Sequence, residues 1–364
     1  LKFTRSRVEW DRTLAAAMAA DGDAGGGGGG SFWNTFGGGQ EGIAASDASP
    51  LDKLLQSEDC SVEALLHEPE VIQEFKGGHD KLVSRLSQPD ALLLLVEFIT
   101  CEPSEQASDE RKFRYPFVTV ELISCGPPTF FKALVDSDHP EILDKLWSFL
   151  ESTPPAEVNP VLAGYFARTS AQVLSKHPVE VAAYLRAKGA DVLLDRFLER
   201  LHLRSLAELF VRLLCAEQPS QVVFATDNWV SRLLQQLEAE GGETSFDAQE
   251  HVALIILELL SQKESLFFSD DLMRQLTTDN VVKALVDRIF SSTQSGISAA
   301  TTILSNIVFH TSVGTSSANM PSTPTLSPLS PPSMLVGEDD VVNMGVDEGP
   351  LAEVLYKYAT ASIF

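Results

Sequence analysis

Positive charge is scarce in this chain of 364 residues. Lys and Arg number 27 against 51 Asp and Glu, a formal net charge of -24 at pH 7. So acidic a surface repels phosphate backbones, which argues against general nucleic-acid binding and suits basic partners. Cysteine is scarce too. Cys60, Cys101, Cys125 and Cys215 form no C-x-x-C pair and no zinc spacing, so buried free thiols in a reducing compartment are expected. No Asn-x-Ser/Thr sequon occurs, in keeping with a cytosolic chain. No apolar run approaches the roughly 18–20 residues of a membrane span. The leucine-rich run Ala91 to Val96 reads as a core helix segment, and membrane insertion is not expected. A charged-then-apolar secretion pattern is missing at the N-terminus.

Signatures of chemistry are missing as well. His67, His79, His139, His177, His202, His251 and His310 are scattered, with no H-E-x-x-H or H-x-x-x-H pair. No G-x-S-x-G, P-loop or dinucleotide fingerprint occurs. The glycine run from Gly25 to Gly30 is followed by no Gly-Lys-Ser/Thr and reads as a linker. The expectation is a protein that is not an enzyme, with no catalytic residues, no metal and no cofactor.

What the chain has is apolar content, 44% of residues, punctuated by proline. Between Arg111 and Ser175, Pro116, Pro127-Pro128, Pro140, Pro154-Pro155 and Pro160 cut out four helix-length segments. Proline fits the first turn of a helix and clashes inside one, so the punctuation predicts helix, short turn, helix. Ile142, Leu143, Leu146, Trp147, Phe149 and Leu150 form one broad apolar face, with Asp138 and Glu141 placed as a capping-box variant. Asn159 is placed as an N-cap and Pro160 as the first helical position, ahead of the stripe Leu162, Tyr165, Phe166, Thr169 and Val173. A short amphipathic helix cannot bury such a face alone, so neighbours must stack.

The same rhythm runs from Ser49 to Phe309 with almost no strand signal. It predicts an all-α fold, an irregular HEAT/armadillo-like helical-repeat solenoid with disordered termini and linker. Residues 1–48 read as a flexible N-terminal extension with an aromatic segment at 31–37 (SFWNTFG), and 49–310 as the helical-repeat domain. Residues 311–348 read as a Ser/Pro-rich, then acidic, disordered linker, and 349–364 as the start of a further helix with Leu351, Val354, Leu355 and Tyr358 in phase. Thr323, Ser327 and Ser330 precede prolines and are candidate phosphorylation sites.

One compact basic cluster, Arg111, Lys112 and Arg114, is interleaved with Phe113 and Tyr115. It lies just before a predicted helix N-terminus, where positive charge opposes the dipole. Two readings follow: bridges to acidic neighbours within the array, or a recognition patch.

Several motifs, in order, carry a resemblance. SFWNTFG, SPLDKLLQSEDCSVEALLHEPEVIQEFKGGHDKLVSRL, KFRYPFVTVELISC, and ILDKLWSFL followed by NPVLAGYFAR resemble the SAPS family, the Sit4-associated proteins that serve as regulatory subunits of phosphatase 6-type enzymes. The likeness covers roughly Ser31 to Phe309. Gly126-Pro127-Pro128 departs from it, standing where the family continues its helix, and HLRSLAELFVRLL is a looser version of the family block. The resemblance implies a non-catalytic adaptor that binds a phosphatase 6-type catalytic subunit, directs it to substrates and assembles with an ankyrin-repeat regulatory subunit. Candidate partner-binding positions carried over from the motifs are Lys112, Arg114, Tyr115, Trp147, Asn159, Pro160, Tyr165 and Phe166. For Trp147, Tyr165 and Phe166 a core role competes. The alternative is a general helical-repeat scaffold for trafficking or transport, without a phosphatase partner. The expected location is the cytoplasm, with the nucleus as an alternative.

Overall fold

The computed structural model describes residues 49–57, 60–238, 243–291 and 294–316, all within one unit that begins at Ser49. The extension 1–48 with its aromatic segment, the pair Gly241-Gly242, the linker from residue 317 on, its three candidate phosphorylation sites and the segment 349–364 lie outside the described residues. Among the described residues every regular element is helical.

Proline and side-chain caps start the helices where the sequence places them. α1 (Pro50–Leu55) opens on Ser49, whose hydroxyl accepts from the Asp52 N–H at 3.0 Å. α2 (Val62–His67) opens on Ser61 in the same way. α3 (Val71–Lys76) and α4 (Asp80–Leu86) are separated by Gly77-Gly78, and Gly78 takes the left-handed conformation, φ 78°. α5 (Pro89–Thr100), α6 (Tyr115–Cys125), α7 (Pro128–Leu134), α8 (Pro140–Trp147), α10 (Pro160–Lys176) and α11 (Pro178–Lys188) each carry proline in their first turn. The short α9 (Phe149–Ser152) lies between α8 and α10, and α12 (Ala190–Leu198) follows Gly189 at φ 101°. α13 (Arg204–Ala216), α14 (Trp229–Gln235), α15 (Glu243–Ser261), α16 (Ser269–Leu276), α17 (Asp279–Ser291) and α18 (Gln294–Ser316) complete the series.

Two local expectations are corrected. The face from Ile142 to Leu150 belongs to two helices that meet at Ser148. The Asp138–Glu141 capping box does not form: His139 is the N-cap residue, its ring faces Glu141 at 3.0 Å, and Asp138 is tied back by its N–H to the Asp136 carboxylate. α18 also continues past residue 310, to Ser316.

The repeat that the sequence hides is plain in the packing. α6, α10, α13, α15 and α18 form a ladder in which each rung packs on the next. They begin at Tyr115, Pro160, Arg204, Glu243 and Gln294, so successive starts lie 45, 44, 39 and 51 residues apart. The spacings bracket the ~40–47 of HEAT and armadillo units, and their spread explains why no strict period appears in the sequence. Beside the ladder α5 packs on α8, α11 on α12, α12 on α14, and α16 on α17. The core is continuous from Leu51 to Ile307, each well-buried Leu, Ile or Phe contributing roughly 1.5–3 kcal/mol. In α10, Ala163, Ala167, Ser170 and Ala171 keep the buried face short, so that α6 and α13 can approach it closely.

Polar ties fix the rungs. Arg168 of α10 pairs with Glu121 of α6 at 3.0 Å. Arg232 of α14 holds Asp191 at 2.8 Å and also Asp195, both on α12. The Tyr184 hydroxyl on α11 donates to Asp144 of α8 at 2.8 Å, and Lys188 reaches the same carboxylate at 2.7 Å. Arg200, 1% exposed, donates to the Thr153 carbonyl at 2.7 Å and to the Arg196 carbonyl at 3.2 Å, joining the end of α12 to the end of α9.

Candidate partner-binding site

The basic cluster sits in a π-helical turn, Glu110–Arg114, that runs straight into α6. Its charges meet main-chain carbonyls at the ends of other helices. Arg111 donates to the Phe98 and Glu97 carbonyls at 3.4 Å and to that of Cys101 at 3.3 Å, and its guanidinium lies over the Phe98 ring, 4.7 Å from the centroid. All three carbonyls belong to the C-terminal end of α5. Arg114 does the same for α2: its Nε donates to the Leu66 carbonyl at 3.1 Å and its Nη2 to that of His67 at 2.9 Å. Lys112 closes the preceding loop on the Glu105 carbonyl at 2.6 Å. The last carbonyls of a helix lack intrahelical donors and carry the negative end of the dipole, so a guanidinium there satisfies both needs.

Neither sequence reading of the cluster anticipated this. The bonds go to backbone carbonyls rather than to acidic side chains, and Arg111 and Arg114 are half-buried. What the turn presents to solvent is the ring of Phe113, 44% exposed. The only sequence signal for it was its place inside the basic run. Tyr115 packs inward, 5.2 Å from the Phe98 ring, and burial pushes its hydroxyl pKa up.

The second group of candidate positions lies on α8 and α10. Trp147 is 3% exposed and Phe166 0%. Their rings meet edge to face at 5.5 Å, and Phe149 stacks on Phe166 at 4.8 Å. These two are core, as the competing reading had it. Tyr165 is half-buried, its hydroxyl pKa raised by burial and by Glu121 against the opposing pull of Arg168. Asn159 Oδ1 accepts from the Val161 N–H at 2.9 Å and so caps α10, while Pro160 is exposed. Fold contacts thus bring Trp147 and Phe166 together, while Lys112 and Arg114 bond to the carbonyls of Glu105, Leu66 and His67.

A tight turn joins α6 to α7. Gly126 stands where a Cβ would come within 2.9 Å of the Phe130 ring and 3.3 Å of Phe131. The buried pair Phe130–Phe131 therefore requires glycine there, and Pro127-Pro128 then starts α7. Half-buried Glu217, after α13, accepts from the Phe224 N–H at 2.6 Å and the Ala225 N–H at 3.2 Å, pinning the loop that leads to α14.

The four cysteines are free and half-buried. Among the described residues no group of three or more His, Cys, Asp or Glu side chains is placed to hold a metal ion, and no helix is long and apolar enough to cross a membrane.

Fold and surface together define a helical-repeat protein of the HEAT/armadillo kind, whose residues of interest shape helix junctions. Its relatives narrow the class. Human serine/threonine-protein phosphatase 6 regulatory subunit 1 is 29% identical over 259 residues, covering 68% of this chain and 29% of that protein. Phosphatase 6 regulatory subunit 3-B of Xenopus laevis is 25% identical over 269 residues, 71% of this chain and 31% of the relative. Extragenic suppressor of kinetochore protein 1 of Schizosaccharomyces pombe is 24% identical over 268 residues, 69% and 31%. These similarities agree with the resemblance to phosphatase 6 regulatory subunits that the sequence motifs carry. The chain spans less than a third of the length of these relatives. No family model and no solved structure matches it.

Proposed function

We propose that this chain is part of a non-catalytic regulatory subunit that binds a phosphatase 6-type serine/threonine phosphatase catalytic subunit and directs it to substrates. The observation that carries this reading is the similarity to phosphatase 6 regulatory subunits over 68–71% of the chain, a stretch long enough to include most of the ladder. An array of this kind holds a substrate beside a tethered enzyme and raises its effective concentration. Hydrolytic groups and metals belong, on this reading, to the catalytic subunit. An ankyrin-repeat regulatory subunit is the second proposed partner, and the cytoplasm the proposed location. The net charge of -24 supports protein partners over nucleic acid.

Of the candidate contact positions, those left with surface to offer are Lys112, Arg114 and Tyr115 in the π-helical turn and at its edge, Asn159 and Pro160 at the start of α10, and Tyr165. We add Phe113, an exposed aromatic ring on a turn held rigid from behind, the usual composition of an interface anchor. Affinity purification of the tagged chain from cells, with identification of what comes with it, tests the reading. A phosphatase 6-type catalytic subunit among the partners supports it; trafficking or transport partners without a phosphatase support the general scaffold instead.

A further inference from the structure

An open groove of about 400 Å³ lies where α4 and the turn into α5 face the start of α7. That volume is within the range of small-ligand and peptide pockets. Asp80, Val83 and Ser84 of α4 line it, with Gln88 ahead of α5 and Pro127 and Thr129 at the head of α7. Asp80, Val83, Ser84 and Ser87 recur at helical spacing, so they share one face of α4. None of them belongs to the basic turn or to the α8–α10 junction.

The groove is rich in acceptors and poor in donors. The Asp80 carboxylate makes no hydrogen bond or ion pair among the described residues. The cations nearest in sequence are engaged elsewhere: His79 faces Asp52 at 3.2 Å, Lys81 adds its field at that same carboxylate, and Arg85 pairs with Asp90 at 3.0 Å. Gln88 donates its amide to the Ser84 carbonyl at 3.0 Å, which leaves its Oε1 as an acceptor. Backbone donors are few. Pro127 and Pro128 have none, the Phe130 and Phe131 N–H groups turn back on the Pro127 carbonyl, and those of Leu82 and Val83 go to His79. The Ser87 hydroxyl is buried in the wall without a hydrogen-bond partner. An anion entering here would meet a carboxylate and little to hold it.

The apolar part of the lining is small and well placed. Val83 stands one helical turn from Asp80, and Pro127 lines the groove with it, surface enough for an aliphatic stem. Gly78 also lines the groove, at φ 78° with open space where a Cβ would stand, so another backbone can pass close. The complement is a cation with several N–H donors on an apolar stem, which describes an arginine side chain.

We propose that this groove docks a linear, arginine-bearing segment of a partner protein. The guanidinium sits on Asp80, its stem lies against Val83, and backbone N–H groups of the segment donate to Gln88 Oε1 and to the Ser84 and Thr129 hydroxyls. The net charge of -24 favours the encounter with a basic segment.

Selection of a phage-displayed library of random linear peptides on the full chain tests this. The enriched peptides should carry arginine. Synthetic copies should bind about tenfold more weakly to Asp80→Asn, as loss of one charge-assisted hydrogen bond implies. Citrulline in place of the arginine should lose as much on the wild-type chain. Ser84→Trp, which fills the groove from an exposed position, should weaken the same peptides. Glu264→Gln removes an exposed carboxylate between α15 and α16 and should leave binding unchanged. All three positions are exposed, and circular dichroism should show each variant folded as the wild type. Peptides without arginine, no enrichment, an equal loss in Asp80→Asn and Glu264→Gln, or binding that survives Ser84→Trp would each overturn the proposal.

Discussion

Arg114 caps Leu66. Its guanidinium Nε donates to the Leu66 carbonyl at 3.1 Å across 48 residues of sequence, and its Nη2 takes the His67 carbonyl beside it. The residue that the sequence left between a bridge within the array and a recognition patch ties α2 to the start of α6. Truncating it leaves the end of α2 without these donors. Arg114→Ala is expected to lower unfolding free energy by about 1–2 kcal/mol in urea titration, with a smaller loss for Arg114→Lys. Arg114→Glu places negative charge on the negative end of the dipole and should cost more than Ala. If Arg114→Glu abolishes partner binding with no change in stability, Arg114 is an interface residue and the cap is incidental.

Trp147 is expected to behave as core. Its indole is enclosed by Phe166 at 5.5 Å and Phe197 at 6.4 Å, so Trp147→Ala should cost about 3–5 kcal/mol by denaturant unfolding. A loss well under 1 kcal/mol would return Trp147 to the list of contacts.

Arg200 is a buried cation that joins two helix ends through the Thr153 and Arg196 carbonyls. Its other partner is the Glu199 carboxylate at 3.2 Å. Arg200→Ala strands these acceptors and is expected to destabilise by about 3–5 kcal/mol, as loss of one partner of a buried charged network does. Thermal unfolding at two salt concentrations checks the origin of the effect: buried contacts should make the loss nearly independent of salt.

Glu217 gives the chain a pH dependence of known sign. Burial raises its pKa above that of an ordinary glutamate, against the lowering by the backbone N–H groups of Phe224, Ala225 and Val223. A raised folded-state pKa means that the native chain binds the proton more tightly than the unfolded chain. Its contribution to stability is then fullest below the unfolded value and declines as pH rises through the folded one. Unfolding of wild type and Glu217→Gln across mildly acidic pH should show wild type losing ground to the variant as pH rises; parallel curves would contradict the assignment.

Much of the fold was legible because its signals are local. Ser49, Ser61 and Asn159 cap the helices they precede, and Pro160 and Pro178 start theirs, because a cap hydroxyl or a missing N–H acts within one turn. The capping box at Asp138 failed because the neighbouring Asp136 took its N–H and His139 took the cap position. The role of the basic cluster was illegible for a different reason. Its acceptors, the ends of α2 and α5, are set by tertiary packing, and only the fold brings Arg114 to Leu66. The same holds for the ladder, whose steps of 39 to 51 residues blur any period in the sequence while leaving the packing regular.

The central claim is that the array serves to hold a phosphatase catalytic subunit, and recovery of that subunit tests it most directly. The tagged full chain, purified from cells and analysed by quantitative mass spectrometry, should bring down a phosphatase 6-type catalytic subunit. Phosphatase activity in the eluate should then be removed when that subunit is depleted. An eluate without any phosphatase catalytic subunit, or activity that stays with the isolated chain, would contradict the account.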